Sequence, residues 1–289
     1  MFTQCGQLYK WKYIDHKKPD TVDDSYFAIA GTTIQKVFEY FFNDKLYEKF
    51  DNAKDLKKYM FDLTAEVYEE ELAKPGVYIK WEGRGYGSSH TKESRLKDIR
   101  SMLDPAYKVI KEHNLLGPQT ESEKELSHYI TPDLKIAGRA DFLVETKEGY
   151  ILLDGKATEK EDKEINVDQL YLYAWMVKET TGFLPVKMGF WKWRFSYILW
   201  VDINLDYLEQ VKNKITTMSE KIIAGDYKVN PSPSHCKYCR YAPSCTEWQE
   251  LSAKNKEKYA HAKEVDTTFL DNIFSGQKGN GKGPKITTL

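Results

Sequence analysis

The sequence has no long apolar run and almost no net charge. No stretch approaches the roughly eighteen consecutive apolar residues of a membrane span, so we expect no membrane association. The 43 Lys and Arg residues nearly balance the 44 Asp and Glu residues, which leaves a net charge of −1. A nucleic-acid binder commonly carries a basic footprint, so such a role would depend on local patches. With 41% hydrophobic and 14% aromatic residues among 289, the chain can bury a sizeable core.

Cysteine is also scarce: Cys5 stands near the start, and Cys236, Cys239 and Cys245 near the end. Without a hydrophobic secretory segment, a disulfide framework is not expected, and a metal site is the better interpretation. A Cys-x2-Cys turn directs two thiolates at one ion. Thiolates suit both zinc and iron clusters, so tetrahedral zinc held by the three late cysteines with His235 or Cys5 stays open.

The segment 138–173 carries the most informative pattern. Asp141 ends the turn Gly-Arg-Ala-Asp after a short apolar run, and Asp154 follows the apolar run 150–153, which Gly149 bounds. Both runs are typical of buried strands. We therefore expect two adjacent strands to present two carboxylates at one edge, together with the ammonium of Lys156.

This residue set suits phosphodiester cleavage. Two carboxylates can hold Mg²⁺ or Mn²⁺, which polarises a phosphoryl oxygen and lowers the pKa of a bound water. Lys156 lies two residues after Asp154, on the same face of the strand, where its charge can meet the scissile phosphate. Gly155 points the other way and leaves room for its carbonyl to act as a further oxygen ligand. Gln169 and Tyr173 are four apart, on one face of a predicted helix beside this edge.

With these motifs the sequence resembles the PD-(D/E)XK nucleases, in particular RecB/AddB-type nuclease domains and CRISPR-associated iron–sulfur exonucleases. The resemblance implies that Asp141 and Asp154 are metal ligands and that Lys156 is the catalytic lysine. It also implies that Gln169 and Tyr173 position the nucleic-acid strand.

The cysteines fit the same resemblance. Iron–sulfur members of this group have one cysteine before the catalytic core and three after it in Cys-x2-Cys-x5-Cys spacing. The resemblance therefore implies a 4Fe–4S cluster that joins the N- and C-terminal segments through Cys5, Cys236, Cys239 and Cys245.

One position departs from the family pattern. Residues 31–39 match the helix motif Gly-x-x-x-His-x-x-x-Glu, but Gln35 stands where histidine is expected. An amide oxygen can ligate a hard cation, although it is a weaker partner than imidazole for Mn²⁺ and cannot take up a proton. Two interpretations stay open: Gln35 is a metal ligand, or it is an ordinary polar helix position. Glu39, one turn later, could compensate.

The patterns predict an α/β fold, a restriction-endonuclease-like mixed central sheet flanked by helices, with a helical insertion at about 45–120. Residues 1–250 are expected to form the nuclease domain with its cluster, and residues 251–289 a charged helix and a flexible Gly-rich tail. Strands are predicted at about 124–131, 134–145, 150–157 and within 185–203, and helices at about 167–180 and 207–223.

Two basic segments could contact nucleic acid. Residues 80–114 combine Lys and Arg with the Gly-rich piece 83–87, and residues 186–195 alternate cations with aromatic residues. Bases stack on aromatic faces while cations neutralise phosphates. The alternating segment is equally typical of a half-buried strand, and both interpretations stay open.

Two classes of function follow from these features. The first is a Mg²⁺- or Mn²⁺-dependent DNA exonuclease that acts on single strands or duplex ends in recombination, repair or phage DNA processing. The second is a catalytically weak or inactive accessory protein that binds DNA ends in a recombination or CRISPR-adaptation complex. Expected partners are DNA and a helicase, recombinase or integrase, in the cytoplasm of a bacterial, archaeal or phage-infected cell.

Overall fold

The computed structural model describes residues 5–20, 26–75, 77, 91–116, 120–132, 134–158 and 166–264. The predicted Gly-rich tail and the Gly-rich piece 83–87 lie outside the described residues. Two compact units are present: a larger one formed by residues 22–226, and a smaller one formed by residues 1–21 and 227–289. None of the described helices combines the length and the hydropathy that a membrane span requires.

The described α-helices, in chain order, are α1 (Gly6–Tyr9), α2 (Tyr26–Asn43), α3 (Ala53–Ala73), α4 (Lys92–Arg100), α5 (Leu103–Glu112), α6 (Asp168–Thr181), α7 (Leu205–Ile223), α8 (Pro233–Cys236) and α9 (Thr246–Glu264). The strands are β1 (Thr120–Thr131), β2 (Leu134–Thr146), β3 (Gly149–Lys156), β4 (Lys187–Lys192) and β5 (Tyr197–Val201). A five-residue π-helix, Lys10–Ile14, follows α1.

The five strands form one mixed sheet in the order β1-β2-β3-β4-β5. The pairs β1–β2, β2–β3 and β4–β5 are antiparallel, and β3–β4 is parallel. The parallel pair is connected through α6, as a crossover between parallel strands requires. The predicted mixed sheet flanked by helices is therefore confirmed.

Helices cover both faces of the sheet with separate apolar clusters. On one face, α2 to α5 pack against sheet residues such as Phe142 and Trp191. On the other face, α6 and α7 pack against Leu143, Leu152 and Phe190. The helix α2 contributes buried side chains at i, i+3, i+4 and i+7, the spacing of an amphipathic helix: Ile34, Val37, Phe38 and Phe41.

The pairing of β2 with β3 ends in the middle of the sheet. It runs from Thr146 opposite Gly149 to Phe142 opposite Leu153 and stops there. Beyond this point β2 continues to pair with β1, and β3 with β4. The two strands therefore part at the next residues, Asp141 and Asp154, and this opening is called the fork below.

Within the alternating segment 186–195, residues 188–193 are buried in the core, whereas Val186 and Lys187 are exposed. Trp191 and Trp193 are buried, and so are Phe190 and Lys192. The reason is that β4 is an interior strand, covered by helices on both faces. The interpretation of these aromatic residues as a base-stacking surface is wrong, and the alternative of a buried sheet member is correct.

In the smaller unit, the N-terminal segment is bound to the segment after residue 226. The N–H of Gly6 donates to the carbonyl of Lys228 at 2.9 Å, and a side chain at Gly6 would lie 2.7 Å from the backbone of Tyr227. The carboxylate of Asp20 accepts from the N–H and the hydroxyl of Ser244 at 3.1 and 2.8 Å. These contacts bring Cys5 to the segment that carries the other three cysteines.

Candidate active site and cysteine site

The fork brings the two predicted carboxylates of the larger unit together. The N–H of Gly155 donates to Oδ2 of Asp141 at 2.8 Å. The side chain of Asp154 is 1% exposed, and its Oδ2 forms an ion pair with Nζ of Lys156. In the described part of the chain, neither oxygen of Asp154 has a partner in hydrogen-bond geometry. The ammonium of Lys156 therefore contacts one oxygen of the Asp154 carboxylate and offsets its charge.

The electrostatics of the fork indicate excess negative charge. Burial, and then the charge of Asp141, raise the pKa of Asp154 to about 6, although Lys156 opposes the shift. Burial also raises the pKa of Asp141, against hydrogen bonds from Gln35 and Gly155. One buried and one half-buried carboxylate with raised pKa values offer the oxygen ligands that Mg²⁺ and Mn²⁺ prefer. The residues present fit such a cation.

The helix α6 places Gln169 and Tyr173 beside the fork, as the sequence predicted. Nζ of Lys156 donates to Oε1 of Gln169 at 3.4 Å, and Nε2 of Gln169 lies 3.5 Å from the phenolic oxygen of Tyr173. Burial raises the pKa of Tyr173, so its phenol stays protonated in the neutral range. The lysine, the amide and the phenol form one polar row along the open side of the fork.

Two glycines allow this close arrangement. A Cβ at Gly138 would lie 2.9 Å from the ring of Tyr173, so only glycine lets α6 approach β2 this closely. A Cβ at Gly155 would overlap the indole of Trp193. The expectation that the Gly155 carbonyl is a metal ligand stays a prediction. The N–H of Gly155 donates a hydrogen bond to the carboxylate of Asp141.

The structure also brings Gln35 to the fork from α2. Its side-chain nitrogen donates to Oε1 of Glu123, and its interaction with Asp141 opposes the rise in the pKa of that carboxyl. The side chain of Gln35 therefore lies at the fork, and its role as a metal ligand stays a prediction. Glu39, one turn later, acts on Glu123 through its charge, which helps to raise the pKa of Glu123.

Glu123 on β1 also lies at the fork, where the sequence did not indicate it. Its side chain is 16% exposed, and its Oε2 lies 3.3 Å from Nη1 of Arg139. In the register of β1 and β2 it lies opposite Asp141, between the pairs Ser122–Phe142 and Lys124–Ala140. Only the register of β1 with β2 could have identified Glu123, because β1 carries several acidic residues with no distinctive spacing.

The side chains do not form a complete coordination sphere. Across the described residues, no group of three or more His, Cys, Asp or Glu side chains is arranged as a metal-binding group. In the fork, the amide of Gln35 donates to the carboxylate of Glu123.

The four cysteines of the smaller unit line one cavity of about 260 Å³, together with His235 and Trp248. All four are free thiols. Burial raises the pKa of Cys239 and of Cys245. Without a metal charge nearby these two groups are therefore protonated, and a metal would have to displace protons on binding.

Backbone N–H groups surround three of the sulfur atoms. The N–H of Ser232 donates to Sγ of Cys236 at 3.3 Å. The backbone groups of Tyr241 and Ala242 act to lower the pKa of Cys239, and that of Trp248 acts to lower the pKa of Cys245. Such donors can orient thiolates at metal centres, but in the described residues the four cysteines are not arranged as a metal-binding group, and the thiol of Cys245 lies 3.6 Å from the carboxylate of Glu247.

The comparisons with known proteins agree with this geometry. The family model of the PD-(D/E)XK nuclease superfamily matches residues 1–246. The chain belongs to this superfamily, whose members are nucleases. None of the curated proteins matches the chain. One solved structure, described as the crystal structure of SSO0001, is 17% identical, covers 85% of this chain and 96% of its own, and has a TM-score of 0.33. A TM-score this low does not establish a shared fold.

Proposed function

We propose that the protein is a Mg²⁺- or Mn²⁺-dependent DNA exonuclease of the RecB/AddB-like group with a structural 4Fe–4S cluster. The observation that carries the proposal is the fork itself. Asp141, Asp154 and Lys156 meet where β2 and β3 part, with Gln169 and Tyr173 along the open side. The proposed substrate is single-stranded DNA or a duplex end, and the proposed setting is recombination, repair or phage DNA processing.

Each residue of the fork has a distinct role in this proposal. Asp141 and Asp154 would hold the cation, which supplies Lewis-acid polarisation and charge neutralisation at the scissile phosphate. Lys156 places a positive charge where negative charge develops in the transition state. Gln169 and Tyr173 offer an amide and a phenol that can orient a phosphate or sugar of the bound strand.

The cysteine cavity supports the second part of the proposal. Cys5, Cys236, Cys239 and Cys245 share one cavity, and backbone donors surround three of the sulfurs. The cluster would bind the N-terminal segment to the C-terminal segment within the smaller unit. Four thiolates suit zinc as well, so iron content is the measurement that separates the two metals.

The test of the nuclease site is a cleavage assay on 5′- and 3′-labelled oligonucleotides with Mn²⁺. Asp154→Ala removes a metal ligand and Lys156→Ala removes a transition-state charge. We expect each change to lower the rate by about 10²–10³-fold, the usual effect of losing one such group. The controls are Glu148→Gln and Lys147→Ala, exposed positions in the turn between the same two strands.

We expect both controls to cleave at the wild-type rate and all four variants to melt cooperatively. Retention of more than about a tenth of wild-type activity by both fork variants would overturn the assignment of the site. A wild-type protein that binds DNA ends but does not cleave them would favour the accessory-protein alternative. The released products, read from the two labels, give the polarity.

A further inference from the structure

Strands β1 and β2 continue past the fork as a two-stranded ribbon, formed by residues 124–131 and 134–140. The two strands stay paired with each other over this length, whereas the pairing of β2 with β3 has already ended. One face of the ribbon packs against the apolar cluster of α6 and α7, through Leu126, Ile130 and Ile136. This contact covers one face of the ribbon and leaves the other face to be accounted for.

The opposite face, called the outer face below, is open to solvent. Because side chains alternate along a strand, it consists of the residues between those on the covered face. It carries three cross-strand pairs: Tyr129 with Lys135 at the tip, Ser127 with Ala137 in the middle, and Glu125 with Arg139 at the fork. All of these residues are exposed. The small residues of the middle pair leave a shallow depression between the larger pairs at the two ends.

The tip of the ribbon holds an aromatic ring and a cation together. Tyr129 is 61% exposed, and Nζ of Lys135 lies 5.7 Å from the centre of the Tyr129 ring. The bases of a single strand stack on exposed aromatic rings, while nearby cations neutralise its phosphates. The pair at the tip therefore offers both of the contacts by which a protein holds an unpaired nucleotide.

The other end of the outer face is continuous with the candidate active site. Nη1 of Arg139 lies 3.3 Å from Oε2 of Glu123, and the charge of Arg139 opposes the rise in the pKa of Asp141. The exposed carboxylate of Glu125 also lies at this end, opposite Arg139. The positive charge that a bound strand would meet is therefore that of Lys135, and a strand on the outer face would run from the fork to the tip.

The length of the outer face fits a short piece of one strand. Lys135 and Arg139 are four residues apart on β2, which corresponds to about 13 Å at about 3.3 Å per residue. A nucleic-acid strand occupies at least about 3.4 Å per nucleotide, so the outer face has room for at most about four nucleotides. In a duplex the base faces are stacked on one another and cannot reach Tyr129. An unpaired strand is therefore the occupant that this surface fits.

We propose that the outer face of the ribbon binds the single DNA strand that enters the fork, with a base stacked on Tyr129 and a phosphate at Lys135. The inference rests on the proposed function, because this strand is the substrate of the fork. It deepens that function by naming a substrate with unpaired bases and by assigning the path of the strand. Both residues lie outside the segment 138–173, which carries the motif.

The test measures binding rather than cleavage, by fluorescence anisotropy with the full-length protein in EDTA. The probes are a labelled oligothymidine of about 12 nucleotides and an abasic oligomer of the same length, which has the phosphates without the bases. For Tyr129→Ala we expect the dissociation constant for oligothymidine to rise about tenfold, as for the loss of one stacked base, and that for the abasic oligomer to change less than about twofold. Tyr129→Phe keeps the ring and should bind both probes as the wild type does.

Lys135→Ala tests the phosphate contact. It should weaken the binding of both probes equally and lower the slope of the logarithm of affinity against the logarithm of salt concentration by about 0.7, the value for one phosphate of a single strand. Tyr59→Ala and Lys58→Ala, at exposed positions of α3, are the matched controls and should bind both probes as the wild type does.

Thermal melting in the same buffer shows whether each variant is folded, because a cross-strand pair such as Tyr129 with Lys135 also stabilises the ribbon by about 0.2–1 kcal/mol. Tyr129→Thr, which lacks the ring but favours a strand, is the second variant if Tyr129→Ala does not fold.

Tyr129→Ala binding oligothymidine as tightly as Tyr59→Ala does would overturn the inference. An equal loss of affinity for the two probes would also overturn it, because Tyr129 would then only support the ribbon. The same holds for a wild-type protein that binds a duplex of equal length more tightly than the single strand. The proposed function fails by a different result, namely cleavage by Asp154→Ala and Lys156→Ala at the wild-type rate, which binding measured in EDTA does not affect.

Discussion

The carboxyl of Asp154 shows the electrostatic cost of burying an acidic side chain in the fork. Its pKa is raised from the ordinary 3.8 to about 6, first by burial and then by Asp141. A raised folded-state pKa means that the favourable contribution is fully present below about pH 3.8 and is lost as the pH rises through about 6. At neutral pH the charged carboxylate therefore destabilises the metal-free fold.

This pH dependence gives a prediction for Asp154→Asn. In EDTA at pH 8 we expect the variant to melt about 5 °C above the wild type, because a shift of about two pKa units corresponds to about 3 kcal/mol. At pH 4 most of the difference should vanish. Glu148→Gln, in the exposed turn, is the control with no expected shift. Differential scanning calorimetry at both pH values tests this, and a lower melting temperature of Asp154→Asn at pH 8 would contradict it.

Site residues that a local pattern marks were predictable, and Glu123, which no local pattern marks, was not. Asp154 and Lys156 share a strand, so period-two alternation places them together. Asp141 follows its own apolar run and could be assigned to the neighbouring strand. Glu123 depends on the register of β1 with β2 and on a left-handed backbone conformation, and neither is encoded in a local pattern.

Among the elements, α6 is the one on which the site depends most directly. The sequence placed this helix at about 167–180, and the structure has it from Asp168 to Thr181, with both motif residues on the face toward the fork. Apolar runs and glycine boundaries also located β2 and β3 closely. The burial of β4 was not fixed by its alternating pattern, because a strand in the interior of a sheet is covered on both faces and tolerates long amphipathic side chains.

The contact between α6 and β2 gives a second prediction. In Gly138→Ala the new methyl would lie 2.9 Å from the Tyr173 ring and 3.2 Å from the end of Met176, so α6 must shift. We expect a loss of about 1–3 kcal/mol of unfolding free energy, typical of overpacking, and slower cleavage because Tyr173 and Gln169 move.

Gly31→Ala in α2 is the control, since a Cβ there meets nothing within 4 Å. Removing a glycine from a helix interior should stabilise the protein by about 0.5–1 kcal/mol. Urea unfolding of both variants measures the two effects. Equal stability of Gly138→Ala and the wild type would show that the helix and the strand are less closely packed than the structure indicates.

At the scale of the whole molecule, the two candidate sites lie in different units. The fork belongs to residues 22–226, and all four cysteines belong to the unit formed by the two ends of the chain. Cys5 lies far from the other three cysteines in sequence. A site shared by all four therefore predicted that the N-terminal segment contacts the C-terminal segment. The partition into units could not be predicted, because it depends on contacts made by segments with no distinctive composition.

The separation of the sites gives the last prediction, which concerns Cys5→Ser. Purified without oxygen, the wild-type protein should be brown and contain about four irons per chain, as expected for a thiolate-bound 4Fe–4S cluster. The variant should lose colour and iron and melt at least about 5 °C lower, because binding free energy at such a site is also folding free energy. Ser234→Ala, an exposed position lining the same cavity, is the control and should keep its iron.

Cleavage should respond differently from colour in the same experiment. Cys5 lies outside the unit that carries Asp141 and Asp154, and a cluster held by four thiolates has no role in hydrolysis. Below its melting temperature, folded Cys5→Ser protein should therefore retain Mn²⁺ binding at the fork. The measurement is the loss of the electron paramagnetic resonance signal of free Mn²⁺ as protein is added. A colourless wild-type protein with one zinc, whose metal content Cys5→Ser leaves unchanged, would show that the cofactor is not a cluster and that Cys5 does not bind it.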